Sequence, residues 1–253
     1  MVNSVQKAIL VLQRLGTHEN LSLSEISRDL DIPKSSTHSI LRTLEVAGLI
    51  ERDSSTQKYH LGTALIELGH QAQHELTIYR VAHPHLEQLN RQVDETVHLT
   101  ILDADEILYI DCVESKKRLR TYSVIGVRAP LHCTSVGKAI MAYLPEEEQD
   151  RIIAEKGLPR FTKNTITNKK ALKEELSRVR ETGYAVDNAE HEEHLRCIGA
   201  PISSHGGDVF ASLSLSGPSQ RITPNRIPEL AAHVTEAAQA ISSRLGYRAA
   251  RGA

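Results

Sequence analysis

The side chains best suited to chemistry fall into three groups. The first is acidic, imidazole and thiol: Asp187, His191, His194 and Cys197 lie within eleven residues, and His132 adjoins Cys133. These are the ligand types of a zinc site. A rival of another class is an enzyme, with Cys133 or Cys197 as nucleophile and His132 or His191 as base in a thiol hydrolase or transferase. Spacing decides neither reading, because the cluster lies in a loop of unknown path. No oxyanion hole can be placed, and neither cysteine sits in a strand-turn-helix elbow. A redox-sensing thiol would need a cation beside it, for which Arg196 next to Cys197 is too little.

The second group is hydroxylic. Thr134 and Ser135 precede a helical run from Val136 to Tyr143, where free N–H groups and the helix dipole favour a carboxylate or phosphate; as an alternative they are simply N-caps. Ser214 and Ser216 alternate along one strand and share a face, opposite Leu213 and Leu215. Two hydroxyls on one face grip a polar ligand, or else form a solvent-facing polar surface. The third group, Ser35, Ser36, Thr37, His38 and Arg42, followed by Arg52 and Lys58, has the small polar and basic character of base-edge and phosphate contacts.

The last group needs a helix to carry it. Leu23 to Asp53 reads as a short helix, a tight turn, a second helix and the first arm of a hairpin. Ser24 is the expected N-cap of the first helix, with Leu23, Ile26 and Leu30 on one face. Pro33 forces a turn, since it lacks an N–H and disfavours helical Ile32. Ser35 or Ser36 should cap the second helix, with Ile40, Leu41, Leu44 and Ala47 buried and Ser36, Thr37, His38 and Arg42 outside. Gly48 leads into a strand through Arg52, Tyr59-His60-Leu61 returns, and Asp53 to Lys58 forms a polar wing tip. An αα-hairpin used only for packing is the alternative. Turn, helix lengths and wing arriving in order favour a winged helix-turn-helix.

The stripe Val5, Ala8, Ile9, Val11, Leu12 and Leu15 predicts a helix packed beneath these two. Helical spacing recurs from Ala64 to Gln73 and from Ile78 to Val93, the latter containing Pro84. These linker helices are a plausible dimerisation element. From Thr96 the period becomes alternating, giving a hairpin through Asp103-Ala104-Asp105, then strands at Leu119 to Ile125, Tyr184 to Asp187, Ile198 to Ser203 and Val209 to Leu215. Helices are expected at Val136 to Tyr143, Pro145 to Lys156, Asn168 to Thr182 and Pro224 to Leu245. The result is an α+β sensor domain whose sheet has an open face for a small molecule.

The totals suit this division. The chain has 253 residues, 40% hydrophobic and 25% charged, enough for two domains with cores. Lacking a long apolar run or an opening signal sequence, it is expected in the cytoplasm, with no membrane partner. Three cysteines without a CxxC pair argue against a disulfide framework. The net charge of −2 excludes a non-specific nucleic-acid binder, while sequence-specific reading needs only a few well-placed cations.

Three motifs add a resemblance: PLHCTSVGKAIMAYL (Pro130 to Leu144), GYAVDNAEHEEHLRCIGAPI (Gly183 to Ile202) and LSLSGP (Leu213 to Pro218). Together with the winged helix and linker, they make nearly the whole chain resemble the IclR family of bacterial transcription regulators. The resemblance implies a winged helix-turn-helix at residues 1–63, a linker helix at 64–77 and a GAF-like effector-binding domain with a mixed antiparallel sheet at 78–253. It also implies homodimers, often dimers of dimers, a double-stranded DNA operator and no cofactor. It places Ser135, Val136, Asp187, Cys197, Ser214 and Ser216 in an effector pocket, to which Thr134 is added by the helix-terminus argument. His191 is usual in the family, whereas His194 stands where the family has glycine. The reading is an effector-controlled regulator, a repressor by family habit, whose ligand is a small carboxylate or sugar acid.

Overall fold

A computed structural model describes residues 2–18, 20–121 and 125–248. The chain divides into two compact units, Met1–Glu75 and Leu76–Ala253.

In the first unit, helices α1 (Asn3–Thr17), α2 (Leu23–Asp29) and α3 (Lys34–Val46) precede a two-stranded wing, β1 (Ile50–Arg52) and β2 (Tyr59–Leu61), and helix α4 (Ala64–Glu75). Val11, Leu15, Ile26, Leu41, Leu44, Ile50 and Tyr59 form its core. The expected α1 stripe is split, because Val5 and Ile9 are 55% and 49% exposed. The cap of α2 is Ser22 rather than Ser24: its hydroxyl accepts from the Glu25 N–H, and the Glu25 carboxylate accepts from the Ser22 N–H, a reciprocal capping box. Likewise α3 is not capped by Ser35 or Ser36. Pro33 occupies the N-cap with extended geometry and its carbonyl accepts from the Thr37 N–H, leaving both serines inside the first turn. Ala47, expected inside, is exposed at the C-cap.

The second unit opens with α5 (Thr77–Val93), inside which Pro84 is solvent-exposed. Strands β3 (Thr96–Asp103) and β4 (Glu106–Val113) form the expected hairpin, with Ala104 and Asp105 at φ 50° and 66° in a two-residue turn. β5 (Arg128–Ala129), α6 (Ser135–Met141), α7 (Glu146–Lys156), α8 (Lys169–Thr182), β6 (Ala185–Asn188), β7 (Leu195–Ser203), β8 (Val209–Pro218), a 3-10 turn at Pro224–Arg226 and α9 (Ile227–Arg244) follow. The six strands order as β5-β4-β3-β8-β7-β6, and all neighbours are antiparallel. The strand expected at Leu119 to Ile125 is absent at its described residues, 122–124 lying outside them; β5 edges the sheet instead.

Alternation sorts the two sheet faces. Val97, Leu99, Ile198, Leu213 and Leu215 pack against α5 and α9 in one core. α6 and α8 build a second core with Leu131, Leu172, Leu176 and Ala185. The face on the α6 side carries the polar residues of the motifs. Among the described residues no helix is long and apolar enough to cross a membrane.

Candidate ligand-binding site

Strand register gathers residues that are far apart in sequence. Asp187 on β6 pairs with Cys197 on β7, Cys197 with Ser216 on β8, and Ser216 with Thr96 on β3. One step along, Gly199, Ser214 and His98 form a parallel rung on the same face. From these rungs Asp187, Cys197, Ser216, Ser214 and His98 floor a cavity of about 340 Å³, also lined by Thr134, Ser135, Tyr109, Arg120, Thr121, His191, Glu192, Glu193 and Leu195.

The start of α6 borders the cavity, seated on the sheet by two close approaches. A Cβ on Gly199 would lie 2.8 Å from the Ser135 carbonyl carbon, and one on Gly137 would lie 2.5 Å from the Leu131 oxygen. Only glycine lets β7 and the 131 turn come so near the helix start. Ser212 Oγ then donates to Val136 O (3.1 Å) and shares a 2.7 Å bond with Thr100 Oγ1.

Six of the seven expected ligand residues line this cavity: Thr134, Ser135, Asp187, Cys197, Ser214 and Ser216. Val136 does not; its carbonyl is taken by Ser212 and its side chain enters the second core. Thr134 is an N-cap, its Oγ1 accepting from Gly137 N (3.1 Å) and donating to Pro130 O (2.8 Å), which leaves Ser135 as the hydroxyl at the helix start. His98 was missed by sequence reasoning although it alternates with Val97 and Leu99 as Ser214 does with Leu213. Arg120 and Thr121 lie in a segment misread as strand.

The electrostatics depend on a buried lysine that sequence reasoning also passed over. Lys138 is fully buried, and its ammonium donates to Val186 O (2.6 Å), Glu190 Oε1 (2.6 Å) and Glu175 Oε1 (3.0 Å). It ties α6 to the turn after β6, where the Glu190 N–H donates to Asp187 Oδ1 (2.6 Å). Burial raises the Asp187 carboxyl to about 7, against the pull of the Glu190 N–H and Lys138. His98 stands edge-on to Tyr109, ring centroids 5.3 Å apart, its Nε2 buried without a hydrogen-bond partner. Desolvation lowers its pKa to about 4, so it is neutral.

These environments do not favour the first group's other chemistries. Burial pushes Cys133 up to about 12 and Cys197 higher still, so both thiols stay protonated, the reverse of an activated nucleophile. Cys197 Sγ instead lies 2.9 Å from Ser216 Oγ, and His132 Nε2 faces Pro159 O at 3.1 Å. Among the described residues no three His, Cys, Asp or Glu side chains converge to hold a metal ion. His194 is exposed and does not line the cavity, and its φ of 67° is a left-handed conformation that favours glycine.

In the first unit, Ser35, His38 and Arg42 are exposed on α3 and Ser36 is half-buried. Thr37, expected on that outer face, is fully buried, its hydroxyl within 3.2 Å of both Ile32 O and Pro33 O. It staples the turn and cannot touch a base. At the wing, Arg52 lies over the Tyr59 ring at 5.5 Å and Lys58 is half-buried. Asp53 Oδ1 accepts from the N–H and hydroxyl of both Ser55 and Thr56, which fixes the wing tip and holds this carboxyl well below its usual range.

The architecture matches known proteins throughout. The family model described as the bacterial transcriptional regulator IclR C-terminal matches residues 70–243, and the IclR helix-turn-helix domain matches residues 4–54. The transcriptional regulator KdgR of Escherichia coli K12 is 38% identical over 246 residues, 97% of this chain and 94% of the relative. XynR of the same organism is 34% identical over 250 residues, 98% and 99% of the two chains. Among solved structures, Thermotoga maritima IclR superposes with a TM-score of 0.80 at 35% identity, covering 98% of this chain and 100% of that one. An IclR homologue from Microbacterium hydrocarbonoxydans, complexed with 4-hydroxybenzoate, gives 0.84 at 26% identity, with 96% and 99% covered. The chain therefore belongs to the IclR family of ligand-responsive, DNA-binding transcription regulators.

Proposed function

We propose that this regulator is a homodimeric, cytoplasmic repressor, without enzymatic activity, whose operator affinity is set by a small carboxylate of the sugar-acid class held in the cavity between α6 and the sheet. The observation that carries the reading is the convergence of Ser135, Asp187, Ser214 and Ser216 on one cavity that also holds a cationic side chain, Arg120. Serine hydroxyls and Asp187 suit a polyhydroxylated ligand, and Arg120, whose Nε donates to Glu114 Oε2 at 2.8 Å, has further guanidinium donors that suit its carboxylate. The 4-hydroxybenzoate found in the neighbouring structure is itself a carboxylate. The AllR relative, 35% identical over 247 residues, is named a repressor.

In the division of labour we propose, residues 1–63 read DNA, 64–77 link and 78–253 sense. Ser35, Ser36, His38 and Arg42 approach base edges while Arg52 and Lys58 meet phosphates, as a pair of recognition helices on two half-sites requires. The test is the thermal midpoint of the purified protein against carboxylates and sugar acids. A native-state ligand at about 100 times its Kd adds roughly 2.7 kcal/mol. One panel member should raise the midpoint, and Ser214→Ala should lose most of the gain. No stabilisation by any carboxylate, or an undiminished gain in Ser214→Ala, would overturn the assignment.

A further inference from the structure

A second cavity, of about 260 Å³, opens beside the same turn. Thr134 and Ser135 line the first cavity, whereas Pro130, Leu131 and His132 line the second. Its floor is built rather than incidental: Leu131, Met141 and Ile152, from the turn, α6 and α7, are 3%, 1% and 4% exposed. Leu158, Pro159 and Phe161 supply further lining. Charged groups at this cavity already neutralise one another. Lys156 Nζ lies 3.7 Å from Glu106 Oε1, and Arg151 holds Asp105 at 2.7 Å. A charged ligand therefore gains little here, and the apolar lining favours an uncharged one.

Two side chains narrow the ligand further. Burial lowers the pKa of His132 and so favours its neutral ring, in which Nε2–H donates to Pro159 O and Nδ1 is an acceptor. Phe161 is 47% exposed, large and aromatic, with its ring centroid 6.2 Å from that of His132. Phe161 also lies 5.0 Å, centroid to centroid, from the ring of His191, which lines the first cavity. One aromatic side chain thus touches a lining residue of each space.

We propose that the second cavity binds a small uncharged aromatic molecule carrying one N–H or O–H, of the indole or phenol kind, and that Phe161 conveys its occupancy to His191. The site is independent of the carboxylate assignment, since it shares no lining residue with the first cavity.

The chain contains no tryptophan, so indole emission excited beyond the tyrosine band can be read directly. Titrating indole into the full-length protein should give a saturable, blue-shifted signal. Leu158→Phe and Ile153→Phe, which place extra carbons in the cavity, should each weaken it at least tenfold while keeping a native thermal transition. Ile9→Ser, in the exposed apolar patch on α1, should leave it unchanged. In histidine-selective NMR spectra, the His191 resonance, identified by its loss in His191→Asn, should move on indole addition, and should stay still in Phe161→Ala. Linear, non-saturable uptake would overturn the site. Undiminished binding in both folded phenylalanine variants, or loss of binding in Ile9→Ser, would do the same. Saturable binding with an unmoved His191 resonance would overturn the coupling.

Discussion

At the scale of single residues, environment sets the role more than residue type does. Thr37 has the chemistry of a base contact but turns its hydroxyl inward to two carbonyls at the helix-turn-helix corner. Thr37→Val keeps the shape and removes the donor, so it should lower stability by about 1 kcal/mol, read by denaturant unfolding, without changing which operator bases are preferred. Asp187 and His98 share the cavity but respond oppositely to pH. Folded Asp187 keeps its proton to about 7, whereas an unfolded aspartate releases it near ~3.9. The folded state therefore binds the extra proton in between, and this group's contribution to stability falls as pH rises from about 4 to 7. His98 is depressed to about 4 from an unfolded ~6.5, so its contribution is full above about 6.5 and is lost as pH falls. The two slopes oppose each other. Calorimetry from pH 4 to 8 should show Asp187→Asn more acid-sensitive than the parent and His98→Gln losing stability more steeply as pH rises. Parallel profiles for all three proteins would show that these two groups do not set the pH dependence of stability.

At the scale of elements, the cavity exists because α6 can lie close to β7. In Gly199→Ala the new Cβ would meet the Ser135 and Val136 backbone at 2.8–3.0 Å, atoms that cannot swing aside as a side-chain tip can. The helix must lift, at a cost of about 1–3 kcal/mol, and Ser135 moves with it. The expected result is a lowered midpoint with a weakened ligand response, whereas a normal response would mean that the seat of α6 does not set the cavity. This dependence also explains what the sequence revealed and what it hid. The Ser214/Ser216 alternation was legible because strand period alone sorts faces. The β3–β4 hairpin was legible from its turn. His98 obeys the same alternation and could have been found by applying it to β3. Lys138 could not, because a lysine in a helix reads as a surface residue until a tertiary fold encloses it with Glu175 and Glu190. The caps of α2 and α3 slipped by two to three residues for a local reason: several serines compete in each stretch, and the choice was made by the Glu25 partner in one case and by Pro33 geometry in the other.

At the scale of the whole molecule, net charge bears on how DNA binding must work. With a net charge of −2, the chain has no general attraction for phosphate, so affinity must come from a few placed groups. Each phosphate contact contributes about 0.9 to the slope of log affinity against log salt. Lys58→Ala should therefore weaken operator binding uniformly across sequences and flatten that slope by about 1 per wing. Arg42→Ala should instead lose preference among sequences while retaining the ligand response. Ligand control adds a constraint that no contact map contains. If the effector changes operator affinity by a factor, operator DNA must change effector affinity by the same factor, typically equivalent to about 1–3 kcal/mol. A tenfold weakening of operator binding at saturating effector, about 1.4 kcal/mol, should thus appear as a tenfold weakening of effector binding at saturating operator. Anisotropy of labelled operator and calorimetric titration of effector measure the two arms separately. Unequal factors would mean that the two ligands do not act on one shared equilibrium, and that binding by more than one assembly of the chain must be resolved before repression is assigned to a shift between two states.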